Sequence, residues 1–213
     1  ASINRENRML MLASNNNLGM ANHHFLKKKV NEAMENFGAG IGGPPLLNGY
    51  TLLMQQLEER LAKLKHQESA LIFPSGYSSN LGLVTALVRE NDHMLLDELS
   101  HASFFDAIRM AKVPWTTFRH NDLEDLKEKL ARLTDETEGN VFASIEGVYS
   151  MDGDLAPLDK MVPIFKKYGA ISMLDDAHGT GVLGATGSST AEHFGVEREI
   201  DLSMGTFSKA FTM

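Results

Sequence analysis

The feature of this sequence that most restricts its fold is an alternation of short apolar runs with helical patterns. The apolar runs are predicted to be strands and occupy residues 70–73, 94–96, 141–145, 171–174 and 202–204. The intervening stretches are predicted to be helices and occupy residues 80–88, 104–111, 123–133 and 158–168. Alternating strands and helices form parallel β-α-β units, with helices on both faces of the sheet. The sequence therefore predicts an α/β fold with three α-β-α layers around a mostly parallel sheet.

A separate arm precedes this alternating region. A helix is predicted over residues 25–37, and residues 38–45 contain too much Gly and Pro to form regular structure. Over residues 51–66, leucines recur at spacings of three and four residues, which is typical of an amphipathic helix. We therefore expect residues 1–50 to form an N-terminal arm and hinge, and residues 51–213 to form the first part of a large domain. The sequence stops four residues after Lys209, within what looks like a strand-to-helix turn, so we expect the domain to continue beyond it.

Charge and composition exclude several classes of function. The formal net charge is −8, whereas binding to a nucleic-acid backbone requires clustered Lys and Arg. No apolar run approaches the roughly 20 residues that span a bilayer, and residues 1–7 lack a signal-peptide pattern, so a cytoplasmic location is expected. The absence of cysteine excludes disulfides, thiolate metal sites and cysteine nucleophiles. Small molecules are therefore the expected ligands.

Polar residues follow the end of every predicted strand. Ligands of parallel sheets bind beyond the carboxyl ends of the strands, where these residues would meet. The segments offer hydroxyls, carboxylates, imidazoles and one lysine, and occupy residues 74–80, 97–101, 146–150, 175–178 and 205–209. The sequence therefore predicts a ligand site along this edge of the sheet.

Asp175 and His178 follow one predicted strand directly. The pair could bind a metal, orient a general base or hold a protonated ring nitrogen, because a carboxylate beside a heteroaromatic nitrogen favours its protonated form. The spacing suggests no third metal ligand, which disfavours the metal site. A solvated loop is the ordinary alternative.

Lys209 has the apolar neighbours Phe207, Ala210 and Phe211. Loss of solvent disfavours a charged ammonium, so this lysine could supply a neutral amine for a Schiff base. A solvated surface lysine is the ordinary alternative.

Two further segments could contact such a ligand. Residues 75–78 open a helix and could direct backbone N–H groups and hydroxyls at a phosphate, although Ser and Gly also cap ordinary helices. His101 precedes another helix and could stack on an aromatic cofactor, with a structural histidine as the alternative. His93 and His120 are interpreted as structural.

Taken in this order, the motifs resemble those of the α-oxoamine synthases. These are fold-type I pyridoxal-phosphate enzymes that condense an amino acid with an acyl thioester, with loss of carbon dioxide, to give an α-aminoketone. The resemblance extends from about Ser14 to the last residue, and its most specific segments are residues 46–51, 97–103, 146–154, 175–184 and 205–209. It implies an aspartate aminotransferase-like large domain, a homodimer, and substrates that are an amino acid and an acyl-CoA or acyl-carrier thioester.

The resemblance assigns reactive roles to four residues. Lys209 would hold pyridoxal 5'-phosphate as a Schiff base and later remove the substrate α-proton. Asp175 would keep the pyridine nitrogen protonated, and His101 would stack on the ring. Lys209, Asp175 and His101 are thus the expected catalytic residues, while His178 would lie near the phenolic oxygen of the cofactor.

Five other residues would hold the cofactor or the substrate, by the same resemblance. Gly76 and Tyr77 would contact the phosphate region, and Thr206 would help to bind the phosphate. Ser150 would lie beside the cofactor, and Asn15 would meet the substrate carboxylate. No metal is expected.

The first quarter or so of the sequence departs from the family pattern at four positions. Pro44 and Pro45 replace a common Ser or Thr and a common Arg, Asn17 replaces Tyr, and Met54 replaces His. These departures leave the acyl donor open. A pyridoxal-phosphate aminotransferase or lyase, and a carrier-protein-dependent synthase, are alternatives that retain most of the same residues.

Overall fold

A single parallel sheet organises the chain. The computed structural model of the protein describes residues 11–212. The strands are β1 (His93–Asp97), β2 (Trp115–Phe118), β3 (Val141–Glu146), β4 (Ile171–Asp175) and β5 (Leu202–Met204). They lie in the order β2-β1-β3-β4-β5, and each neighbouring pair is parallel. The predicted parallel α/β fold is confirmed.

Helices connect the strands and precede the sheet. They are α1 (His24–Phe37), α2 (Leu52–Lys65), α3 (Gly76–Leu87), α4 (Ala102–Ala111), α5 (Leu123–Glu136), α6 (Leu158–Tyr168) and the short α7 (Thr190–His193). Shorter helical turns occupy Met20–Asn22, Pro45–Gly49 and Glu197–Glu199. Among residues 11–212, none of the helices is both long enough and apolar enough to cross a membrane.

The central strands are buried on both faces, which creates the three layers. In β1, Met94 and Leu96 belong to the core beneath α3 and α4, whereas Leu95 belongs to the core beneath α5 and α6. Successive side chains of a strand point to opposite faces, so a strand covered by helices on both sides is apolar at most of its positions. This burial explains why the central strands are mostly apolar in the sequence, with one serine inside β3 and one inside β4.

The strand register aligns acidic residues along the carboxyl edge of the sheet. Glu146, the last residue of β3, is the register partner of Asp175, the last residue of β4. Asp97 ends β1, the other neighbour of β3. Three buried carboxyl groups therefore end three adjacent strands, and the loops that follow them meet at this edge.

One predicted strand is absent from the structure, and one strand of the structure was not predicted. Residues 70–73 form no strand in the structure; the backbone N–H of Ile72 instead donates to Glu58 Oε1 of α2 at 3.1 Å, so a side chain supplies the acceptor that a neighbouring strand would offer. β2 was not predicted, because it reads Trp-Thr-Thr-Phe and lies at the edge of the sheet, where Trp115 is exposed. Edge strands need less apolar sequence than central ones.

The helix predictions succeed apart from their ends. α3 begins at Gly76, four residues before its predicted start, and α5 continues to Glu136. α1 lies in the predicted arm and leaves Phe25, Val30 and Phe37 exposed. The first ten residues of that arm, and Met213, lie outside the described residues. The domain boundary predicted at residue 50 stays a prediction.

Candidate active site

Asp175 lies at the carboxyl edge of the sheet, at the end of β4, and is buried. Its Oδ2 accepts a hydrogen bond from Asn80 Nδ2 at 2.9 Å, and its Oδ1 accepts one from the backbone N–H of Ala177 at 3.0 Å. Burial raises the pKa of Asp175 above its usual value, although these two donors and the positive charges of Lys209 and His101 oppose the shift. A cation placed against this carboxyl group would therefore be strongly favoured.

A chain of hydrogen bonds joins Asp175 to His101. Asn80 Nδ2 also donates to Ser103 Oγ at 2.9 Å, and this hydroxyl lies 2.7 Å from His101 Nδ1. The backbone N–H of Ser103 donates to the same Nδ1 at 3.2 Å, so two contacts from one residue fix the orientation of the imidazole. Asn80 and Ser103 were not predicted as site residues, and they fix the orientation of two that were.

Lys209 and His178 share this electrostatic environment. Lys209 follows β5 and is partly buried; burial lowers the pKa of its amine, while Asp175 and Glu146 oppose the shift. Burial likewise lowers the pKa of His178, and the positive charges of Lys209 and His101 add to that effect. The structure thus brings together the lysine, the carboxylate and both imidazoles that the sequence predicted.

Glu146 is an acidic residue of the site that the sequence analysis did not single out. It is 4% exposed, and among the described residues its Oε1 has no hydrogen-bond partner. Burial, followed by the charge of Asp175, raises the pKa of Glu146 to about 8. The sequence could have identified Glu146 as a site residue, because its carboxylate directly follows the apolar run of β3, a strand covered on both faces.

The first turn of α3 lies beside the loop that carries Lys209. Ser75 caps α3 by accepting from the backbone N–H of Ser78 at 3.1 Å. A Cβ atom on Gly76 would lie 3.6 Å from the Cβ atom of Thr206, and Thr206 Oγ1 lies 2.9 Å from Ser208 Oγ. The free N–H groups of a helix start and hydroxyls from two loops therefore adjoin, which suits a phosphate.

Three of the predicted site residues make no contact with Asp175 or Lys209 in the described part of the chain. The Tyr77 hydroxyl donates to Asp106 Oδ2 at 2.7 Å on the exposed side of α3. Ser150 and Asn15 are exposed. Within residues 11–212, no hydrogen bond or ion pair links either of them to Asp175 or Lys209, so their roles remain predictions.

A buried ion pair anchors the loop that carries His178. Lys65 Nζ of α2 lies 2.8 Å from Asp176 Oδ2 and donates to Thr180 Oγ1 at 2.6 Å. The backbone N–H of Thr190 donates to Asp176 Oδ1 at 3.0 Å. Asp176 is fully buried. The two oxygens of this carboxylate therefore fix the loop that follows β4 to Lys65 of α2 on one side and to the start of α7 on the other.

His120 bridges two carboxylates near the end of β1. Its Nδ1 lies 2.9 Å from Asp97 Oδ1, and its Nε2 lies 2.7 Å from Asp154 Oδ2. Its ring packs edge-on against Tyr149 with centroids 4.4 Å apart. These contacts agree with the structural role that the sequence analysis gave to His120.

The side chains in this region fit the cofactor that the sequence resemblance implies. Pyridoxal phosphate offers an aldehyde, a basic ring nitrogen and a phosphate. The partly buried Lys209 suits the aldehyde, the buried Asp175 suits the protonated nitrogen, and the start of α3 suits the phosphate. In the part of the chain that the structure describes, no three His, Asp or Glu side chains are placed to share a metal ion.

Comparisons with known proteins agree with this geometry. The sequence profile of the family described as aminotransferase class I and II matches residues 7–213. The 8-amino-7-oxononanoate synthase of Geobacter sulfurreducens is 45% identical over 202 residues, which are 95% of this chain and 51% of that protein. Sphingomonas wittichii serine palmitoyltransferase superimposes with a TM-score of 0.87 at 38% identity, over 92% of this chain and 49% of that one. A serine palmitoyltransferase structure described as holding PLP as an internal aldimine gives the same values.

The chain spans about half the length of the curated relatives it matches. Those relatives carry the names of α-oxoamine synthases, which confirms the resemblance that the strand-end motifs predicted. The profile match covers nearly all of the sequence, and the parallel sheet agrees with the solved structures. The chain therefore belongs to the aminotransferase class I and II family.

Proposed function

We propose that this chain is the N-terminal part of a pyridoxal-phosphate-dependent α-oxoamine synthase. The enzyme is an acyltransferase that condenses an amino acid with an acyl thioester and releases carbon dioxide, giving an α-aminoketone. The observation that carries the proposal is the partly buried Lys209 beside the buried Asp175, at the carboxyl edge of a class I and II aminotransferase sheet. The names of the relatives support acyl condensation rather than nitrogen transfer.

Lys209 is proposed to act twice. Because burial lowers the pKa of its amine, a larger fraction would be neutral and able to hold the cofactor through its aldehyde. The Lys209 amine would also be positioned to remove the proton from the substrate α-carbon. The cofactor supplies an electron-accepting ring that stabilises the resulting negative charge.

Asp175 and the histidines are proposed to set the charge of the site. Asp175 receives N–H donors from Asn80 and Ala177, which favour its charged form and let it hold a protonated ring nitrogen. The ordered His101 ring would cover one face of the cofactor. His178 would lie near the phenolic oxygen, where its lowered pKa favours a neutral imidazole.

The other proposed contacts hold the cofactor and the substrate. Gly76 and Tyr77 would contact the phosphate region, where Thr206 supplies a hydroxyl. Ser150 would lie beside the cofactor, and Asn15 would meet the substrate carboxylate. These roles rest on the family resemblance, and site-directed variants of the full-length protein would test each one.

We also propose the domain boundaries and the partners of the protein. Residues 1–50 would form the arm and residues 51–213 the first part of the cofactor-binding large domain. The thioester would be an acyl-CoA or an acyl-carrier conjugate, and Pro45 in place of the common Arg motivates the second of these. We propose a homodimer from the resemblance, and a cytoplasmic location from the composition of the sequence.

A thiol-release assay on the full-length protein tests the proposal. With pyridoxal phosphate bound, free thiol should be released when an amino acid and a thioester are both present, together with carbon dioxide. Coenzyme-A thioesters and carrier-bound thioesters of several chain lengths should be compared. Transfer of nitrogen to a keto acid, with no thiol released from any thioester, would establish the aminotransferase alternative instead.

A lysine variant provides the control. Lys209→Ala should lose both thiol release and the visible absorption of the lysine-bound cofactor. A cofactor that still becomes covalently fixed after borohydride reduction of Lys209→Ala would contradict the assignment of this lysine.

A further inference from the structure

Glu146 is the buried acid of the site to which the proposed reaction gives no role. It ends β3 and is the register partner of Asp175 on β4. It is 4% exposed, and no hydrogen bond within residues 11–212 reaches its Oε1. A carboxylate oxygen in this position has lost its water and gained no donor, which is costly for a charged group.

Groups on several neighbouring elements act on Glu146. The charges of Asp175 and Asp97 raise its pKa, whereas a hydrogen bond from the backbone N–H of His101 and the charge of Lys209 lower it. The Tyr149 phenol also lies near its carboxyl group. Two buried carboxylates at adjacent strand ends repel each other, so the pair tends to retain one proton. The hydrogen bonds of the two residues determine which of them carries it.

The donors favour Asp175 as the charged member of the pair. Both of its oxygens accept N–H hydrogen bonds, from Asn80 at 2.9 Å and from Ala177 at 3.0 Å. N–H donors stabilise a carboxylate and give nothing to an acid proton. Glu146 receives one such donor, the backbone N–H of His101, and its Oε1 has none among the described residues. Asp175 has two donors and Glu146 has one, so protonation of Glu146 removes the costlier charge.

We propose that Glu146 is a positioning residue that remains a neutral carboxylic acid at neutral pH and thereby keeps Asp175 negatively charged against the cofactor ring. This inference rests on the proposed function. Burial and the charge of Asp175 raise the pKa of Glu146 to about 8, in agreement with the assignment. At about pH 7, one unit lower, roughly one tenth of Glu146 would be ionised.

Infrared spectroscopy tests the protonation state directly. In the full-length protein with pyridoxal phosphate bound, the difference spectrum between wild type and Glu146→Gln should contain a protonated carboxyl C=O band at about pH 7. The band should disappear as the pH rises through about 8. The exposed Glu124, replaced as Glu124→Gln, should give no such band and serves as the matched control.

Visible spectroscopy tests the effect on the site. An ionised Glu146 raises the pKa of Lys209, so the spectra of the lysine-bound cofactor in wild type and Glu146→Gln should coincide below about pH 7 and diverge above about pH 8. Divergence already at low pH, or the absence of the carboxyl band at neutral pH, would overturn the proposal. Wild-type protein labelled with ¹³C-glutamate gives the same titration if the variant does not fold.

These measurements are independent of acyl transfer. A neutral Glu146 in a protein that releases no thiol would refute the proposed function alone. An ionised Glu146 in a protein that does release thiol would refute the positioning role alone.

Discussion

Replacing Lys65 with methionine should destabilise the protein strongly, because it leaves Asp176 charged and buried. Methionine keeps most of the apolar length of lysine and removes its ammonium. In the structure the two charged atoms lie 2.8 Å apart, and the side chains are 10% and 0% exposed. Removal of one partner from such a pair costs about 3–5 kcal/mol. The remaining donors to Asp176, the Thr190 N–H and the Thr180 hydroxyl, favour the lower end of that range.

An exposed pair of nearly the same length provides the control. Lys127 Nζ lies 2.7 Å from Glu124 Oε1, with side chains 42% and 81% exposed. Water screens this pair, so Lys127→Met should cost about 0–1 kcal/mol. The two variants make the same chemical change and differ in burial.

Urea denaturation of the full-length protein measures both effects. The midpoint for Lys65→Met should fall well below that for Lys127→Met, and the double variant Lys65→Met, Asp176→Asn should regain part of the loss because no unpaired charge remains. If Lys65→Met were no less stable than Lys127→Met, the buried pair would not hold the loop as described.

Two further predictions concern packing and pH. Gly147→Ala should cost about 1–3 kcal/mol, because its new Cβ atom would lie 2.5 Å from Thr190 Oγ1 and 2.6 Å from Asp176 Oδ1; Gly40→Ala, which meets nothing within 4 Å, should be far milder in the same denaturation assay. Burial lowers the pKa of His120, but its two carboxylate partners outweigh this effect and raise it. The stability that His120 contributes should therefore be complete below about pH 6.5 and be lost as the pH rises through the higher folded-state pKa. Thermal unfolding of wild type and His120→Gln should become more alike at high pH, and a constant difference would contradict this explanation.

The layers of the fold could be predicted because strands that are buried on both faces consist mostly of apolar residues, which the sequence shows directly. β1, β3 and β4 are mostly apolar, and each was predicted. The apolar pattern of β2 is weaker, since an edge strand tolerates the two threonines and the exposed Trp115. Residues 70–73 have the composition of a strand, but composition does not specify a hydrogen-bond partner, and here the partner is Glu58.

The site could be predicted in part, for a related reason. Asp175 ends β4 and Lys209 lies in the loop after β5, so the topology alone brings them to one edge. Asn80 lies 95 residues from Asp175, and Lys65 lies 111 residues from Asp176. Such contacts depend on how helices pack across the sheet, and no local pattern specifies them.

The hydrogen-bond chain from Asp175 through Asn80 and Ser103 to His101 couples the two ends of the site energetically. Asn80 donates to both neighbours through one nitrogen, so any shift of this amide disturbs the carboxylate and the imidazole together. The effects of substitutions along the chain should then depend on one another rather than add. A substitution at one of these four residues is therefore tolerated only when the side chains at the other positions remain compatible with it.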